Sequence, residues 1–188
     1  MPVDLAFTTD PAEVAAYHAL LEDVFVRELG YDVEVEDRYS PHALVQVVRW
    51  QGEVVGGNRI VLPSPVGLPI ETLLTLPLPF RGASCVEFSR MVFRPDRRNK
   101  LKREDWAYIF QFTTDEVRRR TDARYVVFEA VAGLVRLYEA MGFTLHPAPI
   151  TDPAVDDEVC LMYLDLGDRP PLAAASGAAT SGARGVGA

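Results

Sequence analysis

The chain of 188 residues is 48% hydrophobic and 24% charged, a composition typical of one globular domain with a sizeable core. Its formal net charge of −8 argues against a general nucleic-acid binder. No apolar run reaches the roughly 18 residues that a membrane span needs, and the N-terminus lacks the basic and apolar regions of an export signal. We therefore expect a cytoplasmic protein.

The first predicted helix starts at Asp10, which can cap it, with Pro11 in its first turn. Apolar residues then recur at helical spacing up to Gly30, a residue type that often ends helices. Two β-rich runs follow, over 43–50 and 54–62. The short connection between them contains a glycine, so the pair is predicted to form a hairpin.

A glycine pair, Gly56-Gly57, interrupts the second run and indicates a bulge or a close approach of the backbone to a ligand. A short helix is predicted near 70–76. The stretch 85–93 then alternates as a strand does, and Pro95, which has no N–H, ends it.

The C-terminal half alternates between helices and strands. Helices are predicted over 104–121 and 131–141, and strands over 124–129, 143–145 and 158–166. Together the elements predict a mixed α/β sheet with helices on both faces. A single domain should occupy residues 1–167, because 168–188 is an Ala/Gly/Ser-rich segment that we expect to be a disordered tail.

A basic segment follows the predicted strand over 85–93. Between Arg94 and Arg103 six residues are Arg or Lys, and only Asp96 is acidic. The segment leads into a predicted helix N-terminus, where N–H groups and the helix dipole favour negative charge. The pattern therefore predicts an anion-binding site.

No metal site is expected. Cys85 and Cys160 lie in apolar, strand-like runs, which is typical of buried free thiols in a reducing compartment, and the three histidines are scattered. We also expect no permanently bound cofactor.

The sequence RLYEAMGF at 136–143 resembles the LYExxGF signature of the GCN5-related N-acyltransferases, the GNAT superfamily. The resemblance implies a mixed, mostly antiparallel central sheet with helices on both faces, and an acyl thioester as donor. It also implies that Tyr138 protonates the leaving thiolate. The alternative is that Tyr138 is a core aromatic on an amphipathic helix.

Further stretches are similar to one branch of this superfamily, the acyl-homoserine-lactone synthases of the LuxI type. They occur in matching order, as VFVRELGY at 24–31, EDRY at 36–39, GGNRIVLPS at 56–64 and EFSRMVF at 87–93. The segment GLPIE at 67–71 resembles the related long-chain N-acyl amino acid synthases.

The resemblance assigns roles one residue at a time. Phe25 and Tyr31 match an aromatic pair near the entrance for the amine acceptor, although Tyr31 replaces the usual tryptophan. Asp37 matches a conserved aspartate. Leu21 and Ser40 stand where the lactone synthases have an arginine and a second aspartate. These departures weaken the case for lactone formation and leave acyl transfer to another amine.

Arg59, Glu87 and Arg90 match the charged cluster of the family's active-site sheet. In the implied chemistry Glu87 is the candidate general base or amine-orienting carboxylate, and the two arginines can bind an acceptor carboxylate. Backbone N–H groups after Arg90 can stabilise the oxyanion. Residues 87 and 90 point to opposite faces of a regular strand, so both line one pocket only if a bulge intervenes. The alternative is a purely structural ion-pair network.

Arg97, Arg98, Lys100 and Lys102 occupy the place of the glycine-containing pyrophosphate loop of CoA-dependent members, and neither this segment nor the predicted helix after it contains glycine. Long charged side chains suit a single phosphate on an acidic protein. We therefore expect an enzyme that moves a fatty acyl group from acyl carrier protein, as donor and partner, to the amine of an amino acid or derivative. The alternatives are an acetyl-CoA-dependent N-acetyltransferase and an inactive ligand-binding protein.

Overall fold

The computed structural model describes residues 3–77, 79–81, 84–154 and 158–167. Seven strands form one sheet in the order β1-β2-β3-β4-β5-β7-β6, in which all neighbours are antiparallel except β4 and β5. The strands are β1 (Asp4–Thr8), β2 (Ala43–Trp50), β3 (Glu53–Val61), β4 (Cys85–Phe93), β5 (Tyr125–Val131), β6 (Thr144–Ile150) and β7 (Val159–Asp165).

Helices cover both faces of this sheet. They are α1 (Pro11–Leu21), α2 (Pro95–Arg98), α3 (Arg103–Arg120) and α4 (Val135–Ala140). A π-helix (Glu22–Glu28) continues α1, and 3-10 turns occupy Ser40–His42, Pro69–Thr72 and Ala132–Leu134. Helix α1 packs on one face, which we call the α1 face, and α3 with α4 packs on the other, the α3 face. The predicted fold class, a mixed and mostly antiparallel sheet with helices on both faces, is confirmed.

The predicted hairpin is confirmed as β2–β3. Its turn consists of Gln51 and Gly52, whose φ values of 54° and 84° are both left-handed. Such a two-residue turn matches the twist of the strands it joins. Strand β3 therefore begins at Glu53, one residue earlier than predicted.

Several elements differ from the sequence-based expectations. Strand β1 was not predicted, because five residues at a sheet edge carry little alternating pattern. Strand β6 extends to Ile150 rather than ending at residue 145. The predicted helix near 70–76 is a shorter 3-10 turn, Pro69–Thr72. The predicted tail, 168–188, lies outside the described residues.

The glycine pair in β3 does permit a close approach. A Cβ on Gly57 would collide with the Gln46 carbonyl oxygen and the Tyr17 ring, and one on Gly56 would collide with the Phe93 ring. Because Gly57 has no side chain, Tyr17 of α1 lies directly on the sheet and is fully buried there.

A bulge interrupts the pairing of β3 with β4. The partners change from Arg59↔Ser89 to Gly57↔Val92, so one residue of β3 faces two of β4. Arg90, the first of those two, has a φ of 55°, which is rare for a residue other than glycine. The extra residue of the bulge shifts the alternation of side chains along β4 by one position. Arg90 and Val92 therefore lie on the α1 face.

Strands β4 and β5 pair over only three positions, from Cys85↔Tyr125 to Glu87↔Val127. Beyond these positions neither strand has a β partner on its facing edge within the described residues. The two strands therefore part and leave a wedge-shaped cleft, in which backbone N–H groups of β4 remain open to a ligand.

No helix within the described residues is both long and apolar enough to cross a bilayer.

Candidate functional site

Three charged side chains meet beside the cleft, on the α1 face. Asp37 accepts a hydrogen bond from Arg59 at 2.8 Å through one carboxylate oxygen, and from Arg90 at 2.8 Å through the other. The Nε of Arg59 also donates to the Ser89 hydroxyl at 3.0 Å. We call Asp37, Arg59 and Arg90 the charged cluster. With two guanidinium groups and one carboxylate, it carries one net positive charge.

The loop after the π-helix holds Asp37 in place. The backbone N–H groups of Tyr39 and Ser40 donate to its Oδ1 at 2.9 and 3.1 Å. Burial works to raise the pKa of Asp37, but the hydrogen bond and charge of Arg59, together with Arg90, hold that pKa below its ordinary value. Ser40, at the position where the family resemblance expects a second aspartate, therefore supports Asp37 without adding negative charge.

The bulge in β4 brings Arg90 to the same face as Arg59 and Glu87, which a regular strand would not do. Its Nη1 donates to the Val35 carbonyl oxygen at 2.5 Å, and its own carbonyl oxygen accepts from the Tyr17 hydroxyl at 2.9 Å. The condition that the sequence left open, a bulge between residues 87 and 90, is therefore met.

Glu87 is buried, with 4% of its surface exposed. Its carboxylate accepts from the backbone N–H of Ile70 at 2.8 Å, so it holds the Pro69–Thr72 turn against the sheet. Burial raises the pKa of Glu87 to about 8, although the Ile70 hydrogen bond and Arg59 oppose this. The GLPIE segment at 67–71 thus covers Glu87. The hydrogen bond from the Ile70 N–H gives Glu87 a structural role, independent of any role in catalysis.

Glu129 was not identified from the sequence. It lies on β5, two residues beyond the last β4–β5 pair and on the same face as Val127. Burial raises the pKa of Glu129 to about 7, and the neighbouring carboxyl group of Asp152, within hydrogen-bonding reach, acts in the same direction. The available signal was an acid inside the otherwise apolar run YVVFEAV.

The aromatic pair expected at the acceptor entrance does form. The Phe25 and Tyr31 rings meet edge-on with centroids 5.8 Å apart. Phe25 also packs, with Val35, against the buried cluster that includes Tyr17 and Leu21. Leu21 is itself buried, so an arginine at this position would have to displace core contacts.

Tyr138 lies on the α3 face. It packs on Phe128 with ring centroids 4.8 Å apart, and Phe110 and Phe143 complete the cluster. Burial raises the pKa of Tyr138 to about 12. Its hydroxyl therefore keeps its proton at neutral pH, so it can donate a hydrogen bond but is a weak acid towards a thiolate.

Contacts with other parts of the protein engage two of the positive charges of the basic segment. Arg97 stacks on Trp50, with the guanidinium carbon 3.6 Å from the ring centroid, and Arg98 pairs with Glu28 at 2.5 Å. Lys100 and Lys102 are exposed. Lys102 lies 3.9 Å from the exposed carboxylate of Glu104. Lys100 and Lys102 are thus the two of the four predicted donor-binding residues that are well exposed at the surface.

The N-terminus of α3 is less suited to anions than expected. Two acids, Glu104 and Asp105, lie in its first turn, and Asp105 accepts from the Lys102 N–H at 2.9 Å. A negative charge already occupies this end of the helix dipole. Any anion bound here must interact mainly with the lysine side chains.

A cavity of about 440 Å³ lies on the α1 face beside Cys85, two residues before Glu87 in β4. Apolar side chains form part of its wall, and Ser64, Glu71, Thr75 and Arg81 add polar groups. The apolar lining residues are Pro63, Leu68, Leu74, Leu76 and Phe80. Within the described residues, no group of three or more His, Cys, Asp or Glu side chains could hold a metal ion.

Known structures share this fold. FeeM, an N-acyl amino acid synthase from uncultured soil microbes, matches with a TM-score of 0.73 at 16% identity, over 89% of this chain and 92% of its own. The CoA-dependent acyl-homoserine lactone synthase BjaI gives 0.63 at 18% identity, over 87% and 82%. ElaA from Escherichia coli gives 0.64 at 15% identity, over 87% and 99%. A search of curated proteins finds none that matches.

The sequence profile of the N-acyl amino acid synthase FeeM matches residues 16–165, which include the charged cluster, both strands of the cleft and Tyr138. This match covers most of the chain, and it agrees with the fold. The chain therefore belongs to the FeeM family of N-acyl amino acid synthases and is an N-acyltransferase.

Proposed function

We propose that this enzyme transfers a fatty acyl group from acyl carrier protein to the amine of an amino acid or amino acid derivative. The observation that carries the proposal is the charged cluster beside the cleft, where one carboxylate, Asp37, is shared by Arg59 and Arg90. An acceptor that brings its own carboxylate would balance the remaining positive charge. Guanidinium groups suit this task because they bind carboxylates through two parallel hydrogen bonds.

The cleft is the proposed place of the thioester. Amide formation creates a negative charge on the carbonyl oxygen, and fixed backbone N–H groups stabilise such an oxyanion. The open edge of β4 around Arg90 supplies N–H groups of this kind. We assign Glu87 to orienting the amine, Phe25 and Tyr31 to the acceptor entrance, and Tyr138 to a hydrogen bond towards the departing sulfur.

The cavity beside Cys85 supports a long acyl chain. Its volume of about 440 Å³ lies within the ~300–1,000 Å³ range of small-molecule sites, and an acetyl group would leave most of it empty. Its apolar residues would make the transfer of each buried methylene favourable, by about 0.8 kcal/mol. The two free cysteines support a reducing, cytoplasmic location for this reaction.

A direct test incubates the purified chain with a mixture of the proteinogenic amino acids and one donor at a time: dodecanoyl-acyl carrier protein, dodecanoyl-CoA or acetyl-CoA. Mass spectrometry should detect N-dodecanoyl amino acids, formed fastest from the carrier protein. Amines that match the acylated amino acids but lack the carboxylate should be poor acceptors. Equal or better turnover of acetyl-CoA would overturn the proposal in favour of an N-acetyltransferase.

The docking of the carrier protein on the basic segment is tested by removing its two exposed lysines. The variant Lys100→Gln/Lys102→Gln should raise the KM for dodecanoyl-acyl carrier protein by about tenfold at low salt and flatten its salt dependence, because exposed charges act through screened attraction. Its kcat should stay within about twofold, since these charges bind the carrier and not the transition state.

The matched control is Arg119→Gln/Arg120→Gln, which removes the same charge from the opposite end of α3. It should leave the KM for the carrier protein nearly unchanged. If both variants change this KM equally, the basic segment is not the docking surface.

A further inference from the structure

The acceptor amine must lose a proton during attack, and most titratable groups near the cleft are poorly placed to take it. Asp37 has its pKa lowered by two guanidinium groups, which makes it a weak base. Tyr17 and Tyr138 have raised pKa values and stay protonated. Glu87 is buried and already accepts a backbone hydrogen bond from Ile70.

Glu129 differs from these groups in its position. Parallel strands β4 and β5 last pair at Glu87↔Val127, so Glu129 is the first residue of β5 beyond that pair to point to the α1 face. It is half-buried and close enough to Glu87 to raise the pKa of that group. Glu129 therefore lies on the other wall of the cleft, on the same face of the sheet as Glu87.

The surroundings of Glu129 favour exchange of a proton with solvent. From the loop after β6, Asp152 lies within hydrogen-bonding reach of its carboxyl group, and Asp152 is itself only partly buried. Glu87 faces it from β4, whereas Cys160 of β7 is close enough to feel its charge but lies on the α3 face. Within the described residues no arginine or lysine forms an ion pair with Glu129, so its charge is not committed to a structural partner.

We propose that Glu129 is the catalytic residue that accepts the proton of the attacking amine; this inference rests on the proposed function. Asp152 is the positioning residue that passes this proton to solvent. The acceptor approaches as an ammonium ion and gives one proton to the Glu129 carboxylate. The neutral nitrogen forms a bond to the thioester carbonyl carbon, the carbon–sulfur bond breaks, and a second nitrogen-bound proton passes to the departing thiolate. The sum is ammonium plus thioester giving amide, thiol and the one proton that leaves through Asp152.

The test uses the isosteric variant Glu129→Gln in the full chain, with dodecanoyl-acyl carrier protein and the mixture of proteinogenic amino acids. Its amide formation should fall by about 100-fold, a typical contribution of a general base. Hydroxylamine, which is uncharged at neutral pH, should remain a good acceptor, because it needs no deprotonation before attack. Glu139→Gln, on an exposed position of α4, is the matched control and should behave as the wild type.

The dependence of kcat/KM on pH distinguishes a catalytic role of Glu129 from a purely structural one, because a structural role would leave this dependence unchanged. The acidic limb of kcat/KM should be lost in Glu129→Gln, and in Asp152→Asn it should move to lower pH, because removing a neighbouring negative charge lowers the pKa of Glu129. If Glu129→Gln matches Glu139→Gln while the wild type makes N-acyl amino acids, the role of Glu129 is wrong and the proposed function stands. If the wild type acylates none of the acceptors, both are overturned.

Discussion

At the scale of single residues, Asp37 is the centre of the charged cluster. It is the one carboxylate between two guanidinium groups, and both arginines are mostly buried, with 5% and 13% of their side chains exposed. Like charges held together in a poorly solvated place repel one another unless a counter-charge separates them. Asp37 supplies that counter-charge, and it also holds the loop after the π-helix through the backbone N–H groups of Tyr39 and Ser40.

The first prediction concerns Asp37→Asn. The change keeps the shape of the side chain but leaves Arg59 and Arg90 without a counter-charge, so the free energy of unfolding in urea should fall by about 3 kcal/mol. In the wild type, Asp37 has a lowered pKa, so its contribution is complete above its unfolded pKa. It is lost as the pH falls through its folded value.

The control for Asp37→Asn is Asp23→Asn. Asp23 also pairs with an arginine, Arg27, but both side chains are well exposed, at 58% and 65%. Its removal should cost less than about 0.5 kcal/mol. Equal effects of the two substitutions would contradict a stabilising role for the charged cluster.

At the scale of elements, the bulge in β4 decides which side chains share the site. The Tyr17 hydroxyl supports it by donating to the carbonyl oxygen of Arg90. Tyr17 reaches this position because Gly57 leaves room for its ring on the sheet. The position of Arg90 next to Arg59 therefore depends on three features: helix α1, Gly57 of β3 and the bulge in β4.

The second prediction concerns Gly57→Ala. The new Cβ would collide with the Tyr17 ring, so α1 must move away and the bulge must lose its hydrogen bond. We expect a loss of about 1–3 kcal/mol of stability, typical of overpacking, together with a higher KM for the amino acid acceptor. Gly133→Ala is the control, because a Cβ there meets nothing within 4 Å, and it should leave both measurements unchanged. An unchanged KM for the amino acid acceptor in Gly57→Ala would show that the bulge does not contribute to acceptor binding.

At the scale of the whole molecule, charge is distributed unevenly. The chain carries a formal net charge of −8, yet two exposed lysines and Arg103 project from the surface at the start of α3. An acidic body with a small basic area repels other acidic proteins except in one orientation. This distribution supports the proposed docking of an acidic carrier protein at the start of α3.

The third prediction concerns the Ala/Gly/Ser-rich segment, 168–188. Its sequence has too little apolar surface to offset the entropy that ordering would cost. Truncation after Asp168 should therefore shift Tm by less than about 2 °C and leave turnover of dodecanoyl-acyl carrier protein unchanged. A decrease of several degrees in a calorimetric scan would show that this segment packs on the domain.

The sequence by itself determined most of the succession of helices and strands, with β1 as an exception, and the residues of the charged cluster. Helical spacing, alternation and turn residues are local properties, so Asp10, the Gln51-Gly52 turn and Pro95 could be interpreted without knowledge of the rest of the chain. The resemblance of short motifs to an acyltransferase family identified Asp37, Arg59 and Arg90 in the same way.

Only the tertiary structure decided which of these residues act together. The bulge at Arg90 depends on contacts with Tyr17, which lies 73 positions away in the chain, and the partner of Glu87 is a backbone N–H 17 positions away. The tertiary structure also stacked Arg97 on Trp50 and paired Arg98 with Glu28, which left two exposed lysines among the predicted donor-binding residues. Glu129 lies at the edge of the cleft because the pairing of β4 with β5 ends at Glu87 and Val127, and such a separation depends on long-range packing rather than local pattern.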